Sequence, residues 1–269
     1  MPEAAEVRII AEELQISIQN GIINNITMGI NAKVKNMQII SLPTKIVEVK
    51  SYGKKVIMVL NDQCIVFSLG MTGKFKYTKT NHTHVTFNIT KNNNTFDLYY
   101  DDARRIGGLE ALYSNELDNY LSKLGPNLLQ CALVKETWIS LDTWISRFTM
   151  KKYLNKQIAV VLHDQSIIAG IGNYLMSEIL YYSKILPQRL VKDISNSEWD
   201  NIRIYSHVVV YLAYICKGNT IKDFETLKGH TGKYGCIVYG RKFDPYGNPV
   251  TCENVKTGRK AHWVNNVQT

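Results

Sequence analysis

The residues best placed to do covalent chemistry are the first three, Met1-Pro2-Glu3. If Met1 is removed, Pro2 presents a secondary amine with the Glu3 carboxylate beside it. A deprotonated amine can attack an electrophilic carbon and form a Schiff base, and a carboxylate can move the protons involved. The same three residues are also an ordinary way for a chain to begin, and both readings stand on these residues alone. A second stretch runs from Gln165 through Gly170, Gly172 and Asn173 to Glu178 and Leu180. Its glycines allow a tight turn and Asn173 falls where a helix starts. Free N–H groups and the positive end of a helix dipole could seat a phosphate there. A plain capped helix start would look the same.

The elements that must hold these residues follow from periodicity. Val7, Ile10, Leu14 and Ile18 recur at helical spacing, which predicts a helix from about 3 to 19, ended by Gly21. Strand patterns come next. Lys45 to Leu60 alternates loosely, Asn61-Asp62 is a turn, and Gln63 to Leu69 returns as a hairpin. Val85, Phe87 and Ile89, then Phe96, Leu98 and Tyr100, line one face of two further strands joined by Lys91 to Thr95. After Gly125-Pro126 the period turns helical: Leu141 to Phe148, Lys151 to Leu162, Tyr174 to Ser183 and Glu198 to Cys216, the last behind a Ser195–Glu198 capping box. Thr220 with Asp223 could open a short final helix. From about Cys236 the chain reads as strand again, with Tyr246-Gly247-Asn248-Pro249 as a turn. The expected class is α+β, with an N-terminal helix and two-layer β-sandwich over 1–122 and a helical domain over 128–269.

Composition narrows the partners. The 269 residues carry a formal net charge of +9, which favours a polyanion, nucleic acid before membrane. No apolar run approaches the roughly 18 residues that cross a bilayer. Glu3, Glu6, Glu12 and Glu13 make the amino terminus unlike a signal or transit peptide. The five cysteines are dispersed without a C-x-x-C pair, which predicts reduced thiols, an intracellular protein and no zinc site.

Gly172-Asn173-Tyr174-Leu175, continued by Glu178-Ile179-Leu180, resembles the helix–two-turn–helix motif of the formamidopyrimidine-DNA glycosylase and endonuclease VIII family. Its Asn-Tyr-Leu form is closer to the endonuclease VIII-like branch. Further matches fall in order along nearly the whole chain: Met1-Pro2-Glu3 with Glu6, Gly53-Lys54, Ser68 to Gly73, Asp101 to Gly107, Val238 to Arg241, and Gly258-Arg259 to Trp263. Each is weak by itself; six in order are strong. Within the family the chain resembles the endonuclease VIII-like proteins of giant viruses.

The resemblance implies a bifunctional DNA glycosylase/AP lyase of base excision repair. Pro2 would attack C1′ of a damaged nucleotide, Glu3 would be the acid–base partner, and Lys54 would bind a phosphate beside the lesion. β,δ-Elimination would leave a gap flanked by phosphates. Asn173 and Arg259 would clamp flanking phosphates, which positions the protein without reading sequence. Met71, Arg104 and Ile106 would fill the void left by the extruded nucleotide, Ile106 standing where an aromatic wedge is common. Glu6 and Glu178 would support the site.

Departures from the family pattern carry expectations of their own. Bacterial members end in a four-cysteine zinc finger. Here Tyr246 falls near the first ligand and only Cys252 lies in the region, so a zincless β-hairpin finger over about 236–265 is expected, with no metal or other cofactor. Ser68 and Ala5 replace the His and Pro common in bacterial relatives. The segment from Gly229 to Tyr239 is shorter by about two residues than the loop that closes over 8-oxoguanine, which tilts the expected substrates towards oxidised pyrimidines such as thymine glycol and 5-hydroxyuracil. Two alternatives stay open: an 8-oxoguanine/formamidopyrimidine-directed glycosylase, and a DNA-damage-binding protein without turnover. The expected partner is double-stranded DNA with oxidised bases or abasic sites, with single-stranded DNA left open. No membrane is expected, and the protein should act as a monomer wherever DNA lies in the cell.

Overall fold

The computed structural model describes residues 2–30, 32–220, 224–256 and 258–269. The chain divides into two compact units, Met1–Lys123 with Lys217–Lys233, and Leu124–Cys216 with Tyr234–Thr269.

Helix α1 (Ala4–Ile18) opens the first unit, and Val7, Ile10, Leu14 and Ile18 are all buried along one stripe. Among the described residues ten strands follow: β1 (Ile22–Met28), β2 (Val34–Lys35), β3 (Thr44–Lys45), β4 (Glu48–Tyr52), β5 (Lys55–Val59), β6 (Gln63–Ser68), β7 (Gly73–Lys76), β8 (Thr83–Lys91), β9 (Asn94–Asp102) and β10 (Gly108–Tyr113). They make two five-stranded sheets, in the orders β3-β1-β8-β9-β7 and β2-β10-β6-β5-β4. Alternation along the strands turns Phe67 of one sheet towards Phe75, Phe87 and Tyr100 of the other. The Phe67 ring centroid lies 5.0 Å from that of Phe75 and 5.9 Å from that of Phe87. Such tilted aromatic pairs add about 1 kcal/mol each beyond area burial, and they are what joins the two layers. Helix α1 packs against β4 and β5, and the short helix α2 (Leu117–Ser122) closes the unit's continuous part.

The stretch read as one strand, Lys45 to Leu60, is instead β4 and β5, paired antiparallel about a two-residue turn at Gly53-Lys54. Gly53 sits at φ +53, the left-handed region that a two-residue hairpin loop requires and glycine enters freely. Between β8 and β9 the connection shrinks to Asn92-Asn93, both at positive φ, a conformation asparagine tolerates better than most residues.

The second unit contains α3 (Leu128–Ala132), α4 (Leu141–Phe148), α5 (Ile158–Leu162), α6 (Asn173–Tyr182), α7 (Asn196–Ile215) and the hairpin β11 (Thr251–Asn254) with β12 (Lys260–Trp263). Helix α7 is the hub, packing on α3, α4 and α6. Its start is the expected capping box: Ser195 N–H donates to Glu198 Oε2 at 2.8 Å and Glu198 N–H to Ser195 Oγ at 3.4 Å. The helix expected over Lys151 to Leu162 survives only as α5. Upstream of it the backbone is claimed by another segment. Lys192 N–H donates to Leu154 O, Val191 N–H to Lys156 O, and Ile158 N–H to Arg189 O, so residues 154–157 form rungs of an irregular ladder in place of a helical turn. Of the short helix expected at Thr220 with Asp223, Asp223 lies outside the described residues.

The division also differs from a cut between 122 and 128. Residues 217–233 return to the first unit, where Asn219 N–H donates to Glu6, Leu227 N–H to Glu13, and Lys74 Nζ pairs with Glu225 at 2.9 Å. Among the described residues no helix is long and apolar enough to cross a membrane. All five cysteines are free thiols.

Candidate functional site

In the first unit, Pro2 and Glu3 are buried immediately before α1. The Glu3 N–H donates to Glu6 Oε2 at 2.9 Å, and Glu6 Oε1 accepts from the buried Asn219 N–H at 2.8 Å. Glu6 thus fixes the chain start on one side and the returning 217–219 segment on the other. An acid in the first helical turn also complements the positive end of the helix dipole. Lys54 occupies the β4–β5 turn, half-buried, on the hairpin against which α1 packs.

The three residues expected to fill a void lie on two loops that meet. Met71 belongs to the β6–β7 turn, while Arg104 and the half-exposed Ile106 belong to the β9–β10 loop. Arg104 Nη1 reaches Met71 Sδ at 3.0 Å. One buried carboxylate organises both loops. Asp102 accepts from Thr72 Oγ1 and from the Arg104 N–H through Oδ1, and from the Gly107 N–H through Oδ2 at 2.7 Å. The loops approach so closely that a Cβ on Gly70, which has φ +58, would stand 2.7 Å from the Gly107 nitrogen. Sequence reasoning quoted Asp102 and Thr72 inside motifs but gave them no task. An aspartate ending a strand before a glycine-containing turn is the signal that could have found Asp102.

In the second unit, Asn173 is the first residue of α6, and its Oδ1 is buried without a hydrogen-bond partner. The preceding turn is stapled by Gln165, whose Nε2 donates to His163 O and Ile171 O and whose Oε1 accepts from Gly170 N–H, at φ +123. Further along α6, Ser177 Oγ donates to Asn173 O at 2.9 Å and accepts from His262 N–H at 3.2 Å. Ser177 therefore ties the start of α6 to β12, the strand that follows Arg259. Arg259 itself is exposed in the β11–β12 turn. Its carbonyl accepts from Val255 N–H at 2.9 Å, beside Gly258 at φ +73. Gln165 and Ser177 were both missed, because nothing in their local sequence marks a polar side chain that spans a loop.

Glu178 is fully buried. Its carboxylate accepts from the N–H groups of Ile237, Val238 and Tyr239 at 2.8, 3.0 and 3.0 Å, with Tyr234 Oη at 3.4 Å. Burial pushes its pKa up, and the amide donors partly offset that rise. The Val238-Tyr239-Gly240-Arg241 stretch is thereby anchored to α6.

Cys252 is exposed opposite His262, whose ring is buried. No group of three or more His, Cys, Asp or Glu suited to a metal occurs among the described residues.

Comparison with known proteins gives this geometry a lineage. The formamidopyrimidine-DNA glycosylase N-terminal domain matches residues 1–109, and the H2TH domain of the same glycosylase matches 136–224. The formamidopyrimidine-DNA glycosylase of Streptococcus agalactiae serotype III is 31% identical over 261 residues, covering 91% of this chain and 90% of its own. The chain belongs to the formamidopyrimidine-DNA glycosylase family. The Wolbachia pipientis enzyme of that name aligns over 100% of both chains at 28% identity. In fold, the MutM (Fpg) protein of Thermus thermophilus superposes with a TM-score of 0.86 at 24% identity, covering 99% of this chain and 98% of its own. A Lactococcus lactis Fpg crystallised with abasic-site DNA gives 0.85 at 22% identity, covering 99% of each chain. Members of the family are DNA glycosylases with AP lyase activity that act on DNA in base excision repair. The helix, β-sandwich and helix–two-turn–helix architecture is the family fold.

Proposed function

We propose that this glycosylase excises oxidised bases through a Schiff base on Pro2, with Glu3 as acid–base partner and Lys54 binding the phosphate beside the lesion. The observation that carries this reading is the position of Pro2 and Glu3. Both are buried at the start of α1, with the Glu3 N–H held by Glu6, so that a freed Pro2 nitrogen would lie at the positive end of a 15-residue helix. An ordinary α-amine titrates at about 8. The helix dipole disfavours its protonated form and keeps a reactive fraction neutral near pH 7. Attack on C1′ releases the base, and the resulting imine acidifies the C2′ hydrogen, so β- and then δ-elimination cut the strand.

Asn173 and Arg259 serve as phosphate clamps, Arg259 on a hairpin that needs no metal. Met71 and Arg104, which touch, fill the space of the extruded nucleotide together with Ile106. Glu6 and Glu178 act through what they hold: the chain start and the 237–239 turn. The short 229–239 segment supports oxidised pyrimidines as the preferred bases, and Asn173-Tyr174-Leu175 supports a place in the endonuclease VIII-like branch. The names of the relatives favour the second reading, a formamidopyrimidine-directed enzyme. The protein is expected to work as a monomer on cellular or viral DNA.

Borohydride trapping on an abasic-site duplex tests the chemistry. The expected result is a covalent adduct mapping to Pro2 in protein whose intact mass shows loss of Met1. Undiminished base release and strand cleavage by a chain with an acetylated amino terminus would sink it. A panel of duplexes, each with one lesion, separates the two substrate readings: faster release of thymine glycol than of formamidopyrimidine supports the first, the reverse order the second.

A further inference from the structure

The ends of the 217–233 return to the first unit touch. A Cβ on Gly232 would stand 2.1 Å from the Gly218 carbonyl carbon, and one on Gly218 would stand 2.5 Å from the buried Phe224 ring. After Phe224 the backbone closes again. Thr226 N–H donates to His230 O at 2.9 Å, Gly229 N–H to Thr226 O at 3.0 Å, and His230 N–H to Thr226 Oγ1 at 3.2 Å. A short segment tied to itself in this way keeps its shape and moves as one body. Two of its anchors come from α1: Glu6 Oε1 accepts from Asn219 N–H at 2.8 Å, and Glu13 Oε2 from Leu227 N–H at 2.7 Å. The third anchor lies elsewhere. The Glu225 carboxylate meets Lys74 Nζ at 2.9 Å and Lys76 Nζ at 3.7 Å, both on β7.

Strand β7 is the edge of its sheet and begins two residues after Met71. Phe75 points into the aromatic core, so Lys74 and Lys76 on either side of it share the opposite face. The turn that carries Met71 is itself closed: Gly73 N–H donates to Leu69 O at 2.8 Å, and Thr72 Oγ1 donates to Asp102. Movement of Met71 therefore passes into β7, because a tightly packed turn transmits displacement and does not absorb it. Lys74 and Glu225 are each 34% exposed, and a solvated pair of this kind adds little to global stability. The hydrogen bond from Lys74 nonetheless holds the Glu225 carboxyl below its usual range, with the charges of Lys74 and Lys76 adding to the effect. An ion pair that hardly stabilises the fold, but bridges two separately anchored loops, sets the position of one relative to the other.

We propose that Glu225 is a positioning residue which, through Lys74 and Lys76, couples void filling by Met71 to placement of the 224–233 segment at the extruded base. The coupling rests on the roles proposed above for Met71 and for the segment that starts at Gly229, and adds the link between them. Its consequence is selective. Base release needs the nucleotide held out while the segment grips the base. Cleavage at an abasic site that already exists has no base to grip, so it does not use the link.

Glu225→Gln removes the charge and keeps the shape. Single-turnover base release at saturating enzyme, on a duplex with the lesion that the parent releases fastest, should fall about tenfold, a loss of the size that misplacing a positioning group produces. Cleavage of a preformed abasic duplex, borohydride trapping on it, and the melting temperature should match the parent. Glu225→Asp, which keeps the charge, should recover most of the base release. Met71→Ala should also slow base release, and in the Glu225→Gln background it should cost little more, since both changes cut the same link. Equal losses of base release and abasic-site cleavage, independent losses that multiply in the double variant, or full base release by Glu225→Gln would each overturn the proposal. The two readings fail separately: the Pro2 chemistry is read from the trapped adduct of the parent, the coupling from ratios between variants.

Discussion

Asp102 illustrates how a single residue can govern two loops. Both its carboxylate oxygens are occupied, by Thr72 and the Arg104 amide on one side and the Gly107 amide on the other. Asp102→Ala would take this acceptor from three donors, the Thr72 hydroxyl and the Arg104 and Gly107 amides, at about 1–3 kcal/mol for the buried Gly107 amide. The expected outcome is a lower denaturation midpoint and, at temperatures where the variant is folded, a larger loss of activity on duplex lesions than on single strands, which have no void to fill. Equal losses on the two substrates would show that Asp102 only supports folding. His207 makes a second argument at this scale. It is fully buried, its Nε2 accepts from Ile139 N–H at 3.3 Å, and its Nδ1–H faces Arg203 O at 2.8 Å. Both ring nitrogens are engaged in the neutral form, and burial lowers the pKa to about 4 from an ordinary 6.5. The unfolded chain therefore binds a proton that the folded chain refuses. Stability is full above about 6.5 and falls as the pH drops towards 4, by on the order of 3 kcal/mol at most. His207→Gln should flatten that part of the stability–pH curve, measured by urea denaturation at pH 7, 6, 5 and 4.

At the scale of elements, α6 carries one end of the proposed DNA clamp and holds its neighbours by two polar side chains. Ser177 links it to β12, and Glu178 links it to the 237–239 turn. Glu178→Ala removes the acceptor from three amides at once, so the turn should open before the helices do. Amide exchange at Ile237, Val238 and Tyr239 is expected to accelerate by at least about tenfold, with smaller changes in α7. Uniform acceleration across the unit would mean that Glu178 is a general core residue. The periodic elements were legible in the sequence because each buries a regular face: α1, β8, β9, α4, α6 and α7 appear where apolar spacing put them. The Lys151–Leu162 helix was misread for a reason outside its own residues, since residues 189–192 take its backbone donors and acceptors.

For the whole molecule, the return of residues 217–233 to the first unit means that 1–123 is not a complete module. A fragment of 1–123 would leave the Glu6 and Glu13 carboxylates without the Asn219 and Leu227 amides. It should melt well below the intact chain or fail to fold; a fragment matching the intact chain's transition would refute the clamp. The excess of positive charge makes a further demand. Binding to undamaged duplex should weaken steeply with salt, log K falling by about 0.9 per log unit of salt for each phosphate neutralised. A slope near zero would exclude a phosphate-dominated interface.

By itself the sequence determined the family, the order of its motifs and the helices and strands with a clear apolar period, because each of these is written in residues close together in the chain. It also named Pro2, Glu3, Lys54, Asn173 and Arg259 as the residues to watch. Only the tertiary structure decided which distant groups share a proton donor or a cavity. Asp102 meets Thr72, Ser177 meets His262, and Glu6 meets Asn219. Such pairings depend on strand register and on how helices pack, and neither leaves a local period for a reader of the chain to detect.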